Sequence, residues 1–231
     1  SEIFKMLDIE SGEISCNSMK ITPRVKVIPD KDAYSLKVGI DASCCQHLGG
    51  EAKDVTLESL VGANSGVIMF EAKISNGQAS FVGHDLSTAE NFYMIGQSFV
   101  SIYKEYIILD NIEFCTVSPE FKECFKKTLY SSLRSLSEKC NDLGYTLLCG
   151  SSGSPFDGSD FEKIQIEDLR KIWSGPISNA YNDFNGSGSI ISFKSEKNAK
   201  IIYDLKKLSS WLKHNNKAKY SNHIDNIIIK L

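Results

Sequence analysis

The segment from Ser118 to Gly144 constrains this chain most. Phe121, Phe125, Leu129, Leu133, Leu136, Cys140 and Leu143 recur at three- and four-residue steps, which puts them on one face of a helix. Ser118 suits the N-cap and Pro119 the first helical position, where its missing N–H costs nothing. Gly144 sits where a C-terminal glycine belongs. An amphipathic helix this long must bury its apolar stripe against something. The flanking residues say what: Ile107–Val117 before it and Tyr145–Cys149 after it both read as strands.

Other strand patterns precede this unit. Glu13–Ile21, Arg24–Ile28 and Tyr34–Ile40 are short strand runs punctuated by Pro23, Pro29 and Asp30-Lys31-Asp32. Asp54-Val55-Thr56-Leu57 has strand character, and Gly62–Gly66 is a turn cluster. Val67–Ile74 begins apolar on both faces, as a buried central strand does. Ser87-Thr88-Ala89-Glu90 has the form of a capping box. Phe92, Ile95, Phe99, Ile102 and Tyr106 follow at helical spacing, which predicts a helix over Ser87–Glu105. A further helix pattern, Ile201, Leu205, Leu208 and Leu212, follows Ser195, and Ile227–Ile229 reads as a closing strand. The expected fold is α/β (α+β), a mixed β-sheet core flanked by helices. It is read as a single domain over 1–231, with a β-rich part at 1–40. A catalytic core is expected over 50–150, and a basic C-terminal helix and final strand over 190–231.

Composition excludes disorder, since 42% of the residues are hydrophobic and the net charge is only −3. No run approaches the roughly 20 apolar residues of a membrane span, and the N-terminal residues do not read as a signal peptide. Seven cysteines without a C-x-x-C pair (16, 44, 45, 115, 124, 140, 149) read as reduced, partly buried thiols of a cytoplasmic protein. Neither a zinc set nor a cysteine–histidine catalytic pair involving Cys44 or Cys45 with His84 or His214 emerges from the spacing. Residues 151–160 read as a connecting loop.

The chemistry-bearing residues cluster around one hairpin. If Asp54 and Glu71 lie on adjacent antiparallel strands, their carboxylates come to the same end of the sheet. Period-two alternation puts Glu71 and Lys73 on one face and Ala72 on the other. Two neighbouring carboxylates suit Mg²⁺, which prefers oxygen ligands and keeps waters. A lysine beside them supplies a cation at the developing charge.

This segment resembles the PD-(D/E)xK nuclease superfamily, which includes most type II restriction endonucleases. The resemblance rests on Asp54, Glu71-Ala72-Lys73 at the end of an apolar strand, and the helix and strand patterns that follow. It spans residues 50–118, with Lys53 in place of the proline often found before the aspartate. It implies a Mg²⁺-dependent endonuclease hydrolysing double-stranded DNA as a homodimer. Asp54, Glu71 and the carbonyl of Ala72 would hold the metal, and Lys73 would stabilise charge or activate water.

The helix at 118–144 with its flanking strands also loosely resembles the central motif of GNAT acyltransferases. That motif holds a pyrophosphate on the amides of a glycine-bearing turn at a helix N-terminus. Here residues 122–127 read Lys-Glu-Cys-Phe-Lys-Lys, without glycine. The family also expects antiparallel strands where Ser87–Glu105 reads as a helix. A third reading is a non-catalytic structural or interaction protein of a phage or mobile element.

Charge is segregated. Residues 194–219 hold eight lysines and two acids, a net of +6, which leaves −9 for the remaining 205 residues. Lys197, Lys200, Lys206, Lys207 and Lys213 on this helix are the candidate DNA contacts.

Overall fold

In a computed structural model, the described residues are 2–28, 39–40, 42, 44, 47, 49–51, 53, 56, 64–75, 92–109, 112–115, 119–150, 162–164, 190–192, 196–214 and 217–228. Contacts divide the chain into two compact units, Ser1–Phe193 and Lys194–Leu231. The first unit contains α1 (Glu2–Lys5), β1 (Ile9–Glu10), β2 (Ile14–Cys16), β3 (Met19–Ile28), β4 (Ser65–Ile74), β5 (Tyr93–Tyr103), β6 (Tyr106–Leu109), β7 (Glu113–Phe114), α2 (Lys122–Asp142), β8 (Thr146–Gly150), β9 (Glu162–Ile164) and β10 (Ile190–Ser192). The second contains α3 (Glu196–His214) and α4 (Ala218–Ile228).

The fold is α+β, built on one mixed sheet. Among the described residues its strand order is β1-β3-β4-β5-β6-β8-β10-β9, with β2 on β3 and β7 on β5. Every described pairing is antiparallel except that of β6 with β8. β2 and β3 form a hairpin whose two turn residues, Asn17 and Ser18, have φ of 47° and 67°. Positive φ at both turn positions matches the strand twist. Met19–Ile28 runs as one strand, although Pro23 predicts a break. Proline is tolerated there because the short β1 stops opposite Arg24, and Pro23 serves only as an acceptor, from the Ser11 N–H at 2.8 Å.

The predicted helix over Ser87–Glu105 is corrected: residues 93–103 form strand β5. Residues 87–91 lie outside the described set. Met94, Ile95, Gly96, Gln97, Ser98, Phe99 and Val100 are all buried. A strand covered on both faces has no alternating exposed positions to betray period two, and its polar residues Gln97 and Ser98 are adjacent. The apolar residues at 95 and 99 belong to the continuous buried run 94–100, and Phe92 and Ile102 only prolong their spacing. The predicted closing strand at Ile227–Ile229 is also corrected, since α4 continues through Ile228. Ile224, Ile227 and Ile228 have the i, i+3, i+4 spacing of one helix face.

The core lies between the sheet and α2. Leu129, Leu133, Leu136 and Cys140 are fully buried against Ile21, Val25, Phe70 and Leu147. Small side chains on the same face, Thr128, Ser132 and Ser137, let α2 sit close to the sheet. The helix ends as its sequence predicts. Gly144 has φ +82°, its N–H donates to the Asn141 carbonyl, and Tyr145 N–H donates to that of Cys140. This is the Schellman pattern that glycine permits.

The thiol expectation needs correction as well. Cys16, at the end of β2, is disulfide-bonded to Cys124, in the first turn of α2, with Cα atoms 5.5 Å apart. Cys44, Cys115, Cys140 and Cys149 are buried thiols outside any disulfide, and Cys45 is outside the described set. No described helix is long and apolar enough to cross a membrane.

Candidate functional site

β4 carries Glu71, Ala72 and Lys73, as the sequence suggests, but the hairpin expected to bring Asp54 alongside is not the pairing the sheet uses. Both edges of β4 are taken. β3 pairs with it from Ile21↔Ile74 to Ile28↔Val67, and β5 pairs with it from Ser65↔Ser101 to Ala72↔Tyr93. Asp54 lies outside the described residues, and Lys53 and Thr56, on either side of it, are helical rather than extended.

Glu71 stands directly opposite Arg24 on β3. Its carboxylate accepts from Arg24 Nε at 2.7 Å, and the Glu71 side chain has no exposed surface. The Arg24 guanidinium carbon lies 3.7 Å from the centroid of the Phe92 ring, which covers the pair. A guanidinium stacked on an aromatic face and paired with a carboxylate is held by both contacts. Lys73 is exposed, and its Nζ lies 5.8 Å from the same ring. Ala72 is fully buried between Pro23 and Tyr93. The structure therefore brings Arg24 and Lys73 to one aromatic ring, and Glu71 is engaged with Arg24. Sequence reasoning singles out Glu71 and misses Arg24, because Arg24 becomes its neighbour only through the β3–β4 register.

Mg²⁺ needs several oxygen ligands and reluctantly gives up its waters. Among the described residues no three His, Cys, Asp or Glu side chains converge as a metal site would require. Among the described residues, the one buried carboxylate, that of Glu71, is matched by a guanidinium.

A second region has a different character. β6 and β8 run parallel, from Tyr106↔Thr146 to Leu109↔Cys149, and α2 is the crossover between them. The C-terminal ends of both strands and the start of α2 therefore share one end of the sheet. In open α/β sheets such an end is where ligands bind. The strand leading there is interrupted. Val100 pairs with Leu109 and Gln97 with Glu113, so three steps along β5 span four from the end of β6 to the start of β7, and the register is not continuous. A second irregularity lies nearby, where Phe70 pairs with Gly96 but Glu71 with Met94. Gly96 is required between them: a Cβ there would lie 2.9 Å from the Glu113 carbonyl oxygen. Next to it, the buried Gln97 accepts from the Gly39 N–H at 2.7 Å through Oε1, anchoring residue 39 to the sheet.

α2 begins after a 3₁₀ turn at Pro119–Phe121, with Phe121 at the N-cap and no side-chain capping hydrogen bond. The dipole of a 21-residue helix favours an anion at this end. Lys122 and Lys127 are exposed nearby, and Lys126 Nζ lies 5.7 Å from the Tyr130 ring centroid. Cys124 and Phe125 point into the core, one in the disulfide and the other edge-on to Phe114 at 5.5 Å.

The lysines predicted to contact DNA lie on α3. Lys206, Lys207 and Lys213 are exposed, and Lys213 pairs with Asp225 at 2.9 Å. Lys197 and Lys200 lie in the first turns of the helix, where only the backbone is described.

No protein-family model matches this chain, and none of the curated proteins matches it.

Proposed function

We propose that the chain binds a coenzyme A thioester, as an acyltransferase-like protein, at the end of the sheet shared by β6, β8 and the start of α2. One observation carries this reading: a parallel strand pair, joined by a long amphipathic helix, lies within a sheet whose other described pairings are antiparallel. The acyltransferase resemblance implies antiparallel strands where the sequence suggests a helix at 87–105. β5 is such a strand, antiparallel to both neighbours, so that departure from the family pattern disappears. The other departure stays. Without glycine in residues 119–127, backbone amides alone do not cradle a pyrophosphate. The exposed cations of Lys122 and Lys127 supply the anion-binding charge in their place. The link from fold to activity is one of analogy.

Calorimetric titration with acetyl-coenzyme A, and with coenzyme A alone, tests this. Saturable binding to the native chain, weakened about tenfold or more in Lys122→Glu/Lys127→Glu, is the expected result; each tenfold is about 1.4 kcal/mol. No saturable heat with either ligand overturns the reading.

The metal-dependent nuclease is the competing proposal, with Asp54, Glu71 and Lys73 acting on double-stranded DNA in a homodimer. Its support is the position of Glu71 and Lys73 at the end of an apolar strand. The ion pair with Arg24 weighs on the other side, since a carboxylate so engaged must first be released to bind a metal. Plasmid incubation with Mg²⁺ separates the two proposals. Cleavage abolished by both Glu71→Ala and Lys73→Ala favours the nuclease; an intact plasmid with the native chain removes it.

A further inference from the structure

The second unit has its own chemistry. α3 and α4 form a helical hairpin closed by a small polar network. Ser209 Oγ lies 2.8 Å from Ser221 Oγ and donates to Asp225 Oδ1 at 2.6 Å, and Lys213 Nζ lies 2.9 Å from Asp225 Oδ2. Ser209, Leu212 and Ser221 are buried in this contact. Residues 194–231 contain nine lysines and three acids, a net of +6. One of the three acids, Asp225, is used internally.

The outward surface combines these charges with large apolar side chains. Trp211 is 56% exposed and Tyr220 65%. Lys207 and Trp211 are four residues apart, hence neighbours on one helix face. Lys206 is exposed on a neighbouring side of the helix, and Lys217 and Lys219 flank the start of α4 next to Tyr220. A membrane-surface helix needs a continuous apolar face. Here the exposed apolar residues are few, Leu208 and Trp211 on α3 and Tyr220 on α4, and exposed Lys206, Lys207, Lys217 and Lys219 are interspersed with them along the sequence. Alternation of cations and exposed aromatic rings instead matches a strand of phosphates with unpaired bases.

We propose that residues 194–231 bind single-stranded nucleic acid. Lys206, Lys207, Lys217 and Lys219 contact phosphates, and Trp211 and Tyr220 stack on bases. Four lysines on one polyanion make binding salt-dependent through counterion release, and the aromatic contribution is salt-independent. The proposal is independent of the coenzyme A reading, because none of these residues belongs to the first unit.

The test is fluorescence anisotropy of the full chain with a labelled mixed-sequence DNA oligonucleotide over a salt series. With four phosphate contacts, log K should fall with log salt at a slope of roughly −3. Lys206→Gln/Lys207→Gln should flatten that slope by roughly 1.4. Trp211→Ala should weaken binding roughly tenfold with the slope unchanged. These residues are exposed, and matching circular dichroism of the variants establishes that the fold is intact. Absence of binding at low salt overturns the proposal. So does binding that Trp211→Ala leaves unaltered, binding as tight to the matching duplex, or binding to phosphatidylserine vesicles without binding to the oligonucleotide.

Discussion

Arg24 and Glu71 face each other across β3 and β4 and share a 2.7 Å ion pair, Glu71 being wholly shielded from water and Arg24 nearly so. Breaking a buried pair strands a charge. Arg24→Ala or Glu71→Ala should therefore cost about 3–5 kcal/mol of unfolding free energy in urea titration. Replacing both partners with apolar residues of similar size should cost much less. Single changes within about 0.5 kcal/mol of the native chain would show that the pair contributes little.

The Cys16–Cys124 bond ties the β2–β3 hairpin to α2 across 108 residues. Peptide mapping without reductant should recover this linkage. Reduction, or Cys16→Ser, should lower stability by about 2–5 kcal/mol, as loss of a disulfide closing a long loop does. Burial pushes the Cys140 thiol up to about 12, so Cys140 should resist iodoacetamide in the native chain at neutral pH and react only on unfolding.

The face of α2 against the sheet makes a third prediction. Leu133→Ala removes a fully buried side chain and should cost about 2–5 kcal/mol. Gly96→Ala should also destabilise, since its new Cβ meets backbone at 2.9 Å rather than a side chain that could move. Chemical denaturation of the two variants checks both, and a stability matching the native chain would contradict the packing described.

In the helical hairpin, the Ser209 hydroxyl and then the Lys213 ammonium hold the Asp225 carboxyl below its ordinary range. A carboxyl with a depressed folded value favours the folded state above its unfolded pKa, and that advantage is lost as pH falls through the folded value. Acid titration of Trp fluorescence should therefore show loosening of α3 and α4 only below the ordinary aspartate range. Asp225→Asn should remove that step, and an unchanged acid profile would count against the network.

How much of this was legible in the sequence varies by residue. The apolar face and the end of α2 were readable, because one face is buried, one is exposed, and Gly144 marks its end; its start was placed too early, since Pro119–Phe121 is a 3₁₀ turn and Phe121 is the N-cap. β5 was not, because burial on both faces erases the period that distinguishes strand from helix. Glu71 stood out as an acid closing an apolar strand, yet its role depends on Arg24, which is 47 residues away in sequence. Cys16 and Cys124 carry no local spacing signal, since only the packing of α2 on β3 brings them together. The parallel pairing of β6 and β8 was half visible: strand, helix and strand could be read, but not that the two strands are neighbours.

The disulfide makes the chain between residues 16 and 124 a closed covalent ring that holds β3, β4, β5, β6 and β7. A single peptide-bond cut anywhere within it leaves two pieces that still travel as one molecule until reductant is added.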